Sequence, residues 1–300
     1  MDFRFTDDQQ DLIDAAKAVF DGENTVERMR KMAAGEAVSD LWPQLAELGL
    51  LGVMAPEQAG GLEQPLVVMA GIAETAGYAG LPEPLVEIAG ITVPLAQSED
   101  LSALISGELL QGIASPLRPY LDSRLGRGEA VQSIDPLRKL LRHDEKMQVG
   151  QMVDFHGAVL SAAELIGLSS RMVDMSVDYA KDREQFGKPI GAFQAIKHQL
   201  ANVYTQIEFT RPMIHLAALK GGVAVHNAKI AAIDTATLAV ETAIQVHGGM
   251  GYTFEVDLHL FMKRAWALCG VWGDRNYHMK KLEDAILGGR TALGPGQTLN

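Results

Sequence analysis

Apolar residues recur at helical spacing over most of this chain. Near the start, Thr6 followed by Gln9 has the pattern of a capping box, and apolar positions then recur every three or four residues. Three longer helical patterns lie in the second half, at residues 158–181, 193–221 (interrupted or bent near Pro212) and 224–247. We therefore predict a mainly α-helical protein whose second half is an antiparallel bundle.

Shorter helical patterns fill most of the remaining chain. They are predicted at residues 40–48, 66–76, 84–95, 256–269 and 274–287. The apolar stretch 49–62 is broken by Pro56 and by Gly60 and Gly61, so a loop is expected there.

Residues 97–150 differ from the rest, because they carry no sustained period of strand or helix. Short strands are predicted at 109–114 and 130–134, with a turn at 124–128, so the segment is interpreted as a small remnant of a middle domain or as a linker that is in part poorly ordered. The chain thus divides into an N-terminal helical domain (1–96), a reduced middle segment (97–150) and a C-terminal helical bundle (151–300).

Charge and composition exclude several kinds of partner. The chain has 38 acidic and 26 basic side chains, a net charge of −12. No basic stripe offsets this charge, which argues against nucleic acid or an anionic membrane as a partner. No uncharged apolar run reaches the length of about 18 residues that a membrane span needs. The scattered histidines lack acids or cysteines at ligand spacing, so no metal site is expected.

The expected compartment is the cytoplasm. The single cysteine, Cys269, permits no internal disulfide, which suits a reducing environment. The first residues lack the basic and apolar regions of a secretory signal.

A polar corner follows the first long helical pattern. From 183 to 194 it reads Arg-Glu-Gln-Phe-Gly-Lys-Pro-Ile-Gly-Ala-Phe-Gln, and we call it the first corner. An arginine beside a glycine-bearing helix junction suits a phosphate, because its planar charged fork acts together with free backbone N–H groups. Phe186 and Gln194 suit a flat heterocycle. The alternative is a capped helix turn whose surface arginine forms a salt bridge.

The second corner closes the last long helical pattern and reads Gln-Val-His-Gly-Gly-Met-Gly-Tyr over residues 245–252. Its glycines permit a positive φ and the close approach of a ligand to the backbone. The alternative is a helix C-cap followed by a turn. A Rossmann site is excluded, because the Gly-x-Gly pattern follows a helix rather than a strand.

Together, the two corners resemble the C-terminal bundle of the acyl-CoA dehydrogenase family. The resemblance lies in Tyr-Ala-x-x-Arg-x-Gln-Phe-Gly-x-Pro-Ile-x-x-Phe-Gln (179–194) and Gln-x-x-Gly-Gly-x-Gly-Tyr (245–252). Residues 48–62 resemble the family's N-terminal domain, and Ala-Ala-Glu-Leu-Ile-Gly (162–167) resembles the opening of its C-terminal bundle. The implied fold has an N-terminal helical domain, a middle β-domain and a C-terminal bundle.

The resemblance also implies FAD as the cofactor and a site shared between subunits. In this family the corners of one subunit grip the pyrophosphate and adenosine of a flavin seated mainly in the neighbouring subunit. Carried over motif by motif, the FAD contacts are Arg183, Gln185, Phe186, Gln194, Gln245, Gly248 and Gly249.

Two departures from the family pattern shape the interpretation. The family's middle β-domain packs against the flavin ring and lines the acyl-CoA site. Segment 97–150 is too short for this domain and lacks its Gly-Ser-Asp and Trp-Ile-Thr signatures.

The second departure concerns the catalytic base, which many members carry as the glutamate of a Tyr-Glu-Gly-Thr segment. The matching segment 271–274 reads Val-Trp-Gly-Asp, which places Trp272 at the glutamate position.

The remaining acidic and histidine residues do not identify a catalytic base. Members that place the base in the first bundle helix would have it at Gly157 or its neighbours. Asp154 and His156 are near and Glu164 lies two turns on, and a structural or solvent-facing role is the alternative for each of them. Glu255, after the glycine turn, is the last acidic candidate, and a helix-capping role is its alternative.

The combination resembles the short, degenerate subunit of α2β2 heterotetrameric, steroid-CoA type acyl-CoA dehydrogenases, and run 254–264 resembles that subgroup too. This implies a larger homologous subunit as partner, a bulky acyl-CoA as substrate and an electron-transfer flavoprotein or similar carrier as acceptor. Two alternatives stay open. One is an autonomous homodimeric dehydrogenase with Glu255 or Asp154 as base, and the other is a flavin-free scaffold.

Overall fold

Helices make up most of the residues that the computed structural model describes, 4–142 and 150–289. The N-terminal helices are α1 (Asp7–Glu23), α2 (Val26–Ala33), α3 (Trp42–Glu47), α4 (Leu66–Ala79), α5 (Leu85–Glu87) and α6 (Ser98–Ile105). The C-terminal helices are α7 (Gln151–Asp182), α8 (Gln194–Lys220), α9 (Val223–His247), α10 (Leu258–Cys269) and α11 (Arg275–Leu287). The strands are β1 (Tyr120–Asp122), β2 (Glu129–Val131), β3 (Leu140–Arg142), β4 (Glu184–Gln185) and β5 (Lys188–Pro189). The mainly α prediction is confirmed.

Local sequence signals set several helix ends. The predicted capping box opens α1: the Gln9 N–H donates to Thr6 Oγ1 at 3.3 Å, and the Thr6 N–H donates to Gln9 Oε1 at 3.2 Å. The predicted helix at 84–95 is only partly α-helical, since it continues from α5 as a π turn and then a 3₁₀ turn. Pro94 lies in that last turn and has no N–H to extend an α-helix. Pro212, in contrast, lies inside an uninterrupted α8.

The long helix α7 is the centre of the core. N-terminal α4 packs on one side of it, and α8, α9 and α10 pack around the rest. Tyr78 on α4 donates to Asp174 on α7 at 2.8 Å. One apolar cluster runs from the N-terminal helices into the bundle, and the division into domains at residues 96 and 150 stays a prediction.

Among the described residues, α7 is also the one helix long and apolar enough to cross a membrane. However, 83% of its apolar window is buried inside the protein. That burial is typical of the central helix of a packed bundle.

The reduced middle segment forms a three-stranded antiparallel sheet in the order β1-β3-β2. The predicted strand at 130–134 overlaps β2, and the predicted turn at 124–128 lies in the connection from β1 to β2. The predicted strand at 109–114 is wrong. Its backbone has no partner strand among the described residues, and the Gly112 N–H instead donates a single hydrogen bond to the Leu125 carbonyl at 2.9 Å. Part of the predicted linker, 143–149, lies outside the described residues.

Alternating charges, most of them buried, tie the middle segment to the N-terminal helices. Nearest N–O separations along this ion chain run from 2.5 to 4.0 Å. In order, its members are Arg28, Glu83, Arg124, Asp122, Arg138, Glu87 and Arg118. The four arginines exceed the three carboxylates by one charge.

A second ionic contact joins the middle segment to the bundle. Arg264 on α10 lies 3.3 Å from Asp135 and 3.2 Å from Glu164 of α7. All three side chains are buried, so these charges depend on one another for compensation.

Candidate functional site

The first corner is a tight hairpin at the end of α7. Strands β4 and β5 pair antiparallel, and Phe186 and Gly187 form the turn between them with φ values of 56° and 77°. A two-residue turn with both φ values positive matches the twist of a hairpin. A positive φ is costly for an aromatic residue. The Phe186 side chain is 92% exposed.

The second corner begins where α9 ends at His247. Gly248 adopts φ 59° and ψ −134°, a conformation that favours glycine, and a 3₁₀ turn over Gly248–Tyr252 leads toward α10. A Cβ at Gly248 or Gly249 would meet no atom within 4 Å. The backbone of both residues is therefore open to an approaching ligand.

The two corners meet in one open cavity of about 450 Å³. The His247 ring stacks on Tyr179 with centroids 4.4 Å apart, which fixes the end of α9 against the end of α7. The cavity walls are formed by Tyr179, Arg183, Gln185, Ile190, Val246, His247, Gly248, Gly249, Met250, Thr253 and Glu255. Of the predicted contacts, Arg183, Gln185, Gly248 and Gly249 are thus brought together.

The other three predicted contacts lie outside this cavity wall. Phe186, Gln194 and Gln245 are solvent-exposed. Phe186 packs edge-on against Phe193, with ring centroids 6.1 Å apart. Sequence reasoning missed the part of Tyr179 and His247 in this cavity, although both residues stand within the motifs that define the corners.

The electrostatics of the cavity favour an anion beside Arg183. Its side chain is exposed and forms no ion pair with any residue that the structure describes, so the predicted salt-bridge alternative is not observed. His247 Nδ1 donates to the Ala243 carbonyl at 2.8 Å, and burial lowers the pKa of this histidine. Arg183 is therefore the cationic group of the cavity that is free to bind a ligand.

Glu255 lines the same cavity and does not cap a helix. Helix α10 begins at Leu258 with Asp257 at its N-cap and no side-chain capping bond. The Asp257 carboxylate instead accepts from Arg30 at 2.5 and 2.7 Å.

The two family positions for a catalytic base lie against each other, and neither carries an acid. Trp272 is buried with φ 61°, and its backbone N–H donates to the Leu117 carbonyl at 3.0 Å. Its ring covers Gly157 so closely that a Cβ there would lie 2.2 Å from Trp272 Cδ2. An indole therefore fills the space between the two positions that the family resemblance assigns to a base.

We expect Gly157→Ala to lower the free energy of unfolding by about 1–3 kcal/mol, because the added methyl group overpacks the Trp272 ring. The matched control is Gly22→Ala on α1, where a Cβ meets nothing within 4 Å; it should be stabilising by about 0.5–1 kcal/mol. Urea denaturation measures both. Equal effects at the two positions would contradict the close packing, and a Trp272→Leu background should reduce the loss.

The acids and histidine near Gly157 have different surroundings. Asp154 accepts a hydrogen bond from the Ser115 hydroxyl and faces a cavity of about 620 Å³ that Trp272 also lines. His156 Nδ1 donates to the Gly90 carbonyl at 2.8 Å, and burial lowers its pKa. Burial raises the pKa of Glu164, which is held by Arg264. Asp154 and Glu164 each line a cavity, but of the two only Glu164 is paired with an arginine among the described residues.

Metal-ligand geometry is not found in the described part of the chain, where no group of three or more histidine, cysteine or acidic side chains could hold an ion. The described site thus combines an open, cationic corner at one end of α7 with an indole-filled base position near the other end.

Comparison with known proteins places these features in a family. The chain matches the N-terminal domain of acyl-CoA dehydrogenases over residues 6–97 and their C-terminal domain over residues 155–287. It is 30% identical over 274 residues to the acyl-CoA dehydrogenase IpdE2 of Mycobacterium tuberculosis, covering 82% of this chain and 86% of that protein.

Solved structures of two-component complexes share the fold. A chain of the ChsE4–ChsE5 complex from Mycobacterium tuberculosis superposes with a TM-score of 0.80 at 20% identity, over 96% of this chain and 99% of that one. A chain of the Tcur3481–Tcur3483 steroid acyl-CoA dehydrogenase, a G363A variant, gives a TM-score of 0.78 at 24% identity, over 94% and 98%. This protein belongs to the acyl-CoA dehydrogenase family.

Proposed function

We propose that this chain is a subunit of a heteromeric, FAD-dependent acyl-CoA dehydrogenase. It contributes the grip on FAD across the subunit interface, while a larger homologous subunit, in an α2β2 assembly, supplies the flavin bed and the base. The substrate is a bulky, steroid-derived acyl-CoA, which is dehydrogenated between its α and β carbons. The cytoplasm is the proposed location, and an electron-transfer flavoprotein or similar carrier is the proposed acceptor.

The observation that carries this proposal is the open cavity that Arg183, which has no ion pair among the described residues, lines together with Gly248 and Gly249. A guanidinium binds a pyrophosphate through charge-assisted bonds. The open backbone at the two glycines lets phosphate oxygens approach its N–H groups. Phe186, Gln194 and Gln245 lie outside the cavity wall and are solvent-exposed, so any contact that they make with a partner's cofactor is part of this proposal.

The partner is needed for the other half of the site. When bound, FAD accepts the hydride that leaves the β carbon. The α-proton needs a base, and Trp272 has no atom that accepts a proton at the family position. The middle segment, reduced to three strands of three residues each, supports a flavin bed located in the partner rather than in this chain.

Steroid-derived substrates are favoured by two observations. One of the structural relatives is a steroid acyl-CoA dehydrogenase with two components, and run 254–264 of this chain resembles that subgroup.

The test is the visible flavin absorbance of this chain, purified alone and again after co-expression with a full-length homologous subunit. Flavin is expected only in the co-purified complex. Flavin bound by the chain alone would overturn the proposed division of the site, and a stable complex without flavin would favour the scaffold alternative.

One observation favours the autonomous enzyme as a second candidate. Asp154 lies one helical turn from Gly157 and faces a cavity that Trp272 also lines, so its carboxylate is the acid next to the family base position. Glu255, by contrast, lies beyond the other end of α10, roughly 17 Å along that helix from Trp272. If the isolated chain proves yellow and active, Asp154→Asn should abolish turnover and Glu255→Gln should not.

A further inference from the structure

The Trp272 side chain lies between two cavities. One cavity, of about 390 Å³, lies beside α10 and the middle segment, and the other, of about 620 Å³, lies where the start of α7 meets α9 and α11. Trp272 and Leu117 line both of them. On α7 the larger cavity is lined as far as Ala158 and the smaller one from Ser161 on, and Gly157, which the indole covers, lies next to that boundary. The indole is therefore part of the wall that keeps the two cavities apart.

A short strap carries this indole. Residues 270–273, Gly-Val-Trp-Gly, lie between the end of α10 and the N-cap of α11, and we call them the strap. A Cβ at Gly270 would meet nothing within 4 Å, whereas one at Gly273, where φ is 92°, would lie 2.7 Å from His278 Nε2. Trp272 itself adopts φ 61°. A positive φ is unfavourable for a bulky residue and persists only where surrounding contacts hold it. The position of the strap therefore depends on its contacts.

Two hydrogen bonds hold the main chain of Trp272. Its N–H donates to the Leu117 carbonyl at 3.0 Å, and its carbonyl accepts from His278 Nε2 at 3.0 Å. His278 is 1% exposed, and its Nδ1 lies 2.8 Å from Nδ1 of His226. We call these two histidines the latch. Because a buried carbonyl that loses its donor is costly, the latch stabilises the present position of the strap.

The proton positions in the latch follow from its hydrogen-bond partners. A carbonyl only accepts, so His278 Nε2 carries a proton and, in the neutral ring, His278 Nδ1 is an acceptor. The contact between the two Nδ1 atoms then requires His226 Nδ1 to donate. His226 thereby fixes the tautomer in which His278 holds Trp272. A second proton on His278 would place two donors 2.8 Å apart and break the bond between the histidines.

Both histidines of the latch are neutral at neutral pH. Burial is the largest effect on each ring: it lowers the pKa of His278 to about 4, and it also lowers the pKa of His226. The charged or titratable groups around the latch are Lys229 of α9, Asp274, Tyr277 and Lys281 of α11, Asp154 of α7 and Lys220 of α8. The proton pattern that holds the strap is therefore the one present at neutral pH.

We infer that the strap is a gate between the two cavities and that the His226–His278 latch keeps it closed. Release of the latch leaves the Trp272 carbonyl without its donor. The main chain then relaxes from its positive φ by turning about the two flanking glycines, which lifts the indole off α7 and joins the cavities. This device uses no residue of the FAD corner, so it does not rest on the proposed function.

Acrylamide quenching of tryptophan fluorescence in the full chain measures whether the gate is open. In a Trp266→Phe background the two remaining tryptophans, Trp42 and Trp272, are 4% and 3% exposed, so the closed protein should be quenched little. His278→Leu removes the donor to the strap and should raise the quenching constant at least about threefold, because a released indole becomes accessible. His278→Gln is the matched control, since its amide N–H replaces the Nε2 donor, and it should be quenched like the background protein.

A second pair of variants covers the event that His278→Leu does not fold. His226 is only half-buried. His226→Leu removes the donor that fixes the tautomer of His278 and should raise the quenching constant about twofold, whereas His226→Asn keeps an N–H donor and should not. A Trp266→Phe, Trp272→Phe protein gives the signal of Trp42 alone, which is subtracted throughout.

Acid should open the gate as well. The latch is fully closed above a pH of about 6.5, the ordinary pKa of histidine. It opens as the pH falls toward the pKa of His278, about 4. The rise in quenching should precede the loss of helical circular dichroism, and His278→Gln should lack this rise.

Three results would overturn the gate: unchanged quenching in both leucine variants, equal quenching in each leucine variant and its control, or a rise in acid that survives in His278→Gln. None of these readouts involves flavin, so a failure here is distinct from a failure of the proposed FAD grip.

Discussion

Arg183→Ala should weaken the retention of FAD by the assembled complex by about 10- to 100-fold. The side chain is exposed, has no ion pair among the described residues and lines the cavity with Gly248 and Gly249. A hydrogen bond to a charged group is worth about 1.5–3 kcal/mol, which sets this range. The dissociation constant is measured by flavin fluorescence after gel filtration of the complex. Folding should be unchanged, because no described residue loses a partner.

Lys181→Ala is the matched control for that substitution. It removes one positive charge two residues earlier, at the same end of α7. Lys181 pairs with Asp178 across the surface and does not line the cavity. The control should retain FAD like the wild type. If both variants lose FAD equally, a general field effect would replace the specific contact, and if neither loses it, Arg183 is not a flavin ligand.

The hydrophobic period of the sequence was sufficient to predict the long helices. Helices α7, α8 and α9 lie within a few residues of the predicted spans, apart from the start of α7, which precedes its predicted start by seven residues. Periodicity works there because one face of each helix is buried against the same core. The short helices α2 and α6 were missed, since one or two turns carry too few apolar positions to show a period.

The motifs located the candidate site, but not its geometry. Arg183 lies close to Gly248 and Gly249 because α8 and α9 return the chain to the end of α7. The spacing of the motifs alone did not predict this proximity, which was implied only by the resemblance to the family. The exclusion of Phe186 from the cavity wall could not be predicted. Phe186 lies in a hairpin turn with a positive φ, a conformation that the local preference of an aromatic residue does not predict.

The packing at the proposed base positions could not be predicted from the sequence either. Sequence comparison placed Trp272 and Gly157 at two alternative base positions, 115 residues apart in the chain. The structure shows that these two residues are in contact, because the indole covers the glycine. The predicted strand at 109–114 is wrong because local composition does not determine strand pairing. Its composition suited a strand, but strands need partners, and partner choice is decided by tertiary structure.

The ion chain could not be read from the sequence, because its seven members are spread from residue 28 to residue 138. Its presence explains how a small sheet stays fixed on the helices. Three strands of three residues each bury little apolar surface, so buried ion pairs between the sheet segment and the helices supply the specific attachment. Because two arginines share Glu87, its replacement should lower the free energy of unfolding more than the replacement of any other member of the ion chain.

Glu87→Gln should lower the free energy of unfolding by about 3–5 kcal/mol at neutral pH, because two buried arginines lose their shared carboxylate. Urea denaturation measures the change. Glu27→Gln removes an exposed carboxylate that pairs with Lys31 at 2.8 Å, and this control should change stability by less than about 0.5 kcal/mol. Similar losses in the two variants would contradict the structural role of the ion chain.

Acidification should erase the difference between the wild type and Glu87→Gln. Burial alone would raise the pKa of Glu87, but the charges of Arg138 and Arg118 outweigh it and lower this pKa below its ordinary value. A carboxyl group with a lowered folded-state pKa stabilises the protein fully above its unfolded-state pKa, about 4.3 for glutamate. The stabilisation is then lost as the pH falls toward the folded-state pKa. The gap between wild type and variant should therefore be constant at neutral pH and shrink steadily in acid, whereas a gap that widens in acid would mean that Glu87 is buried as the neutral acid.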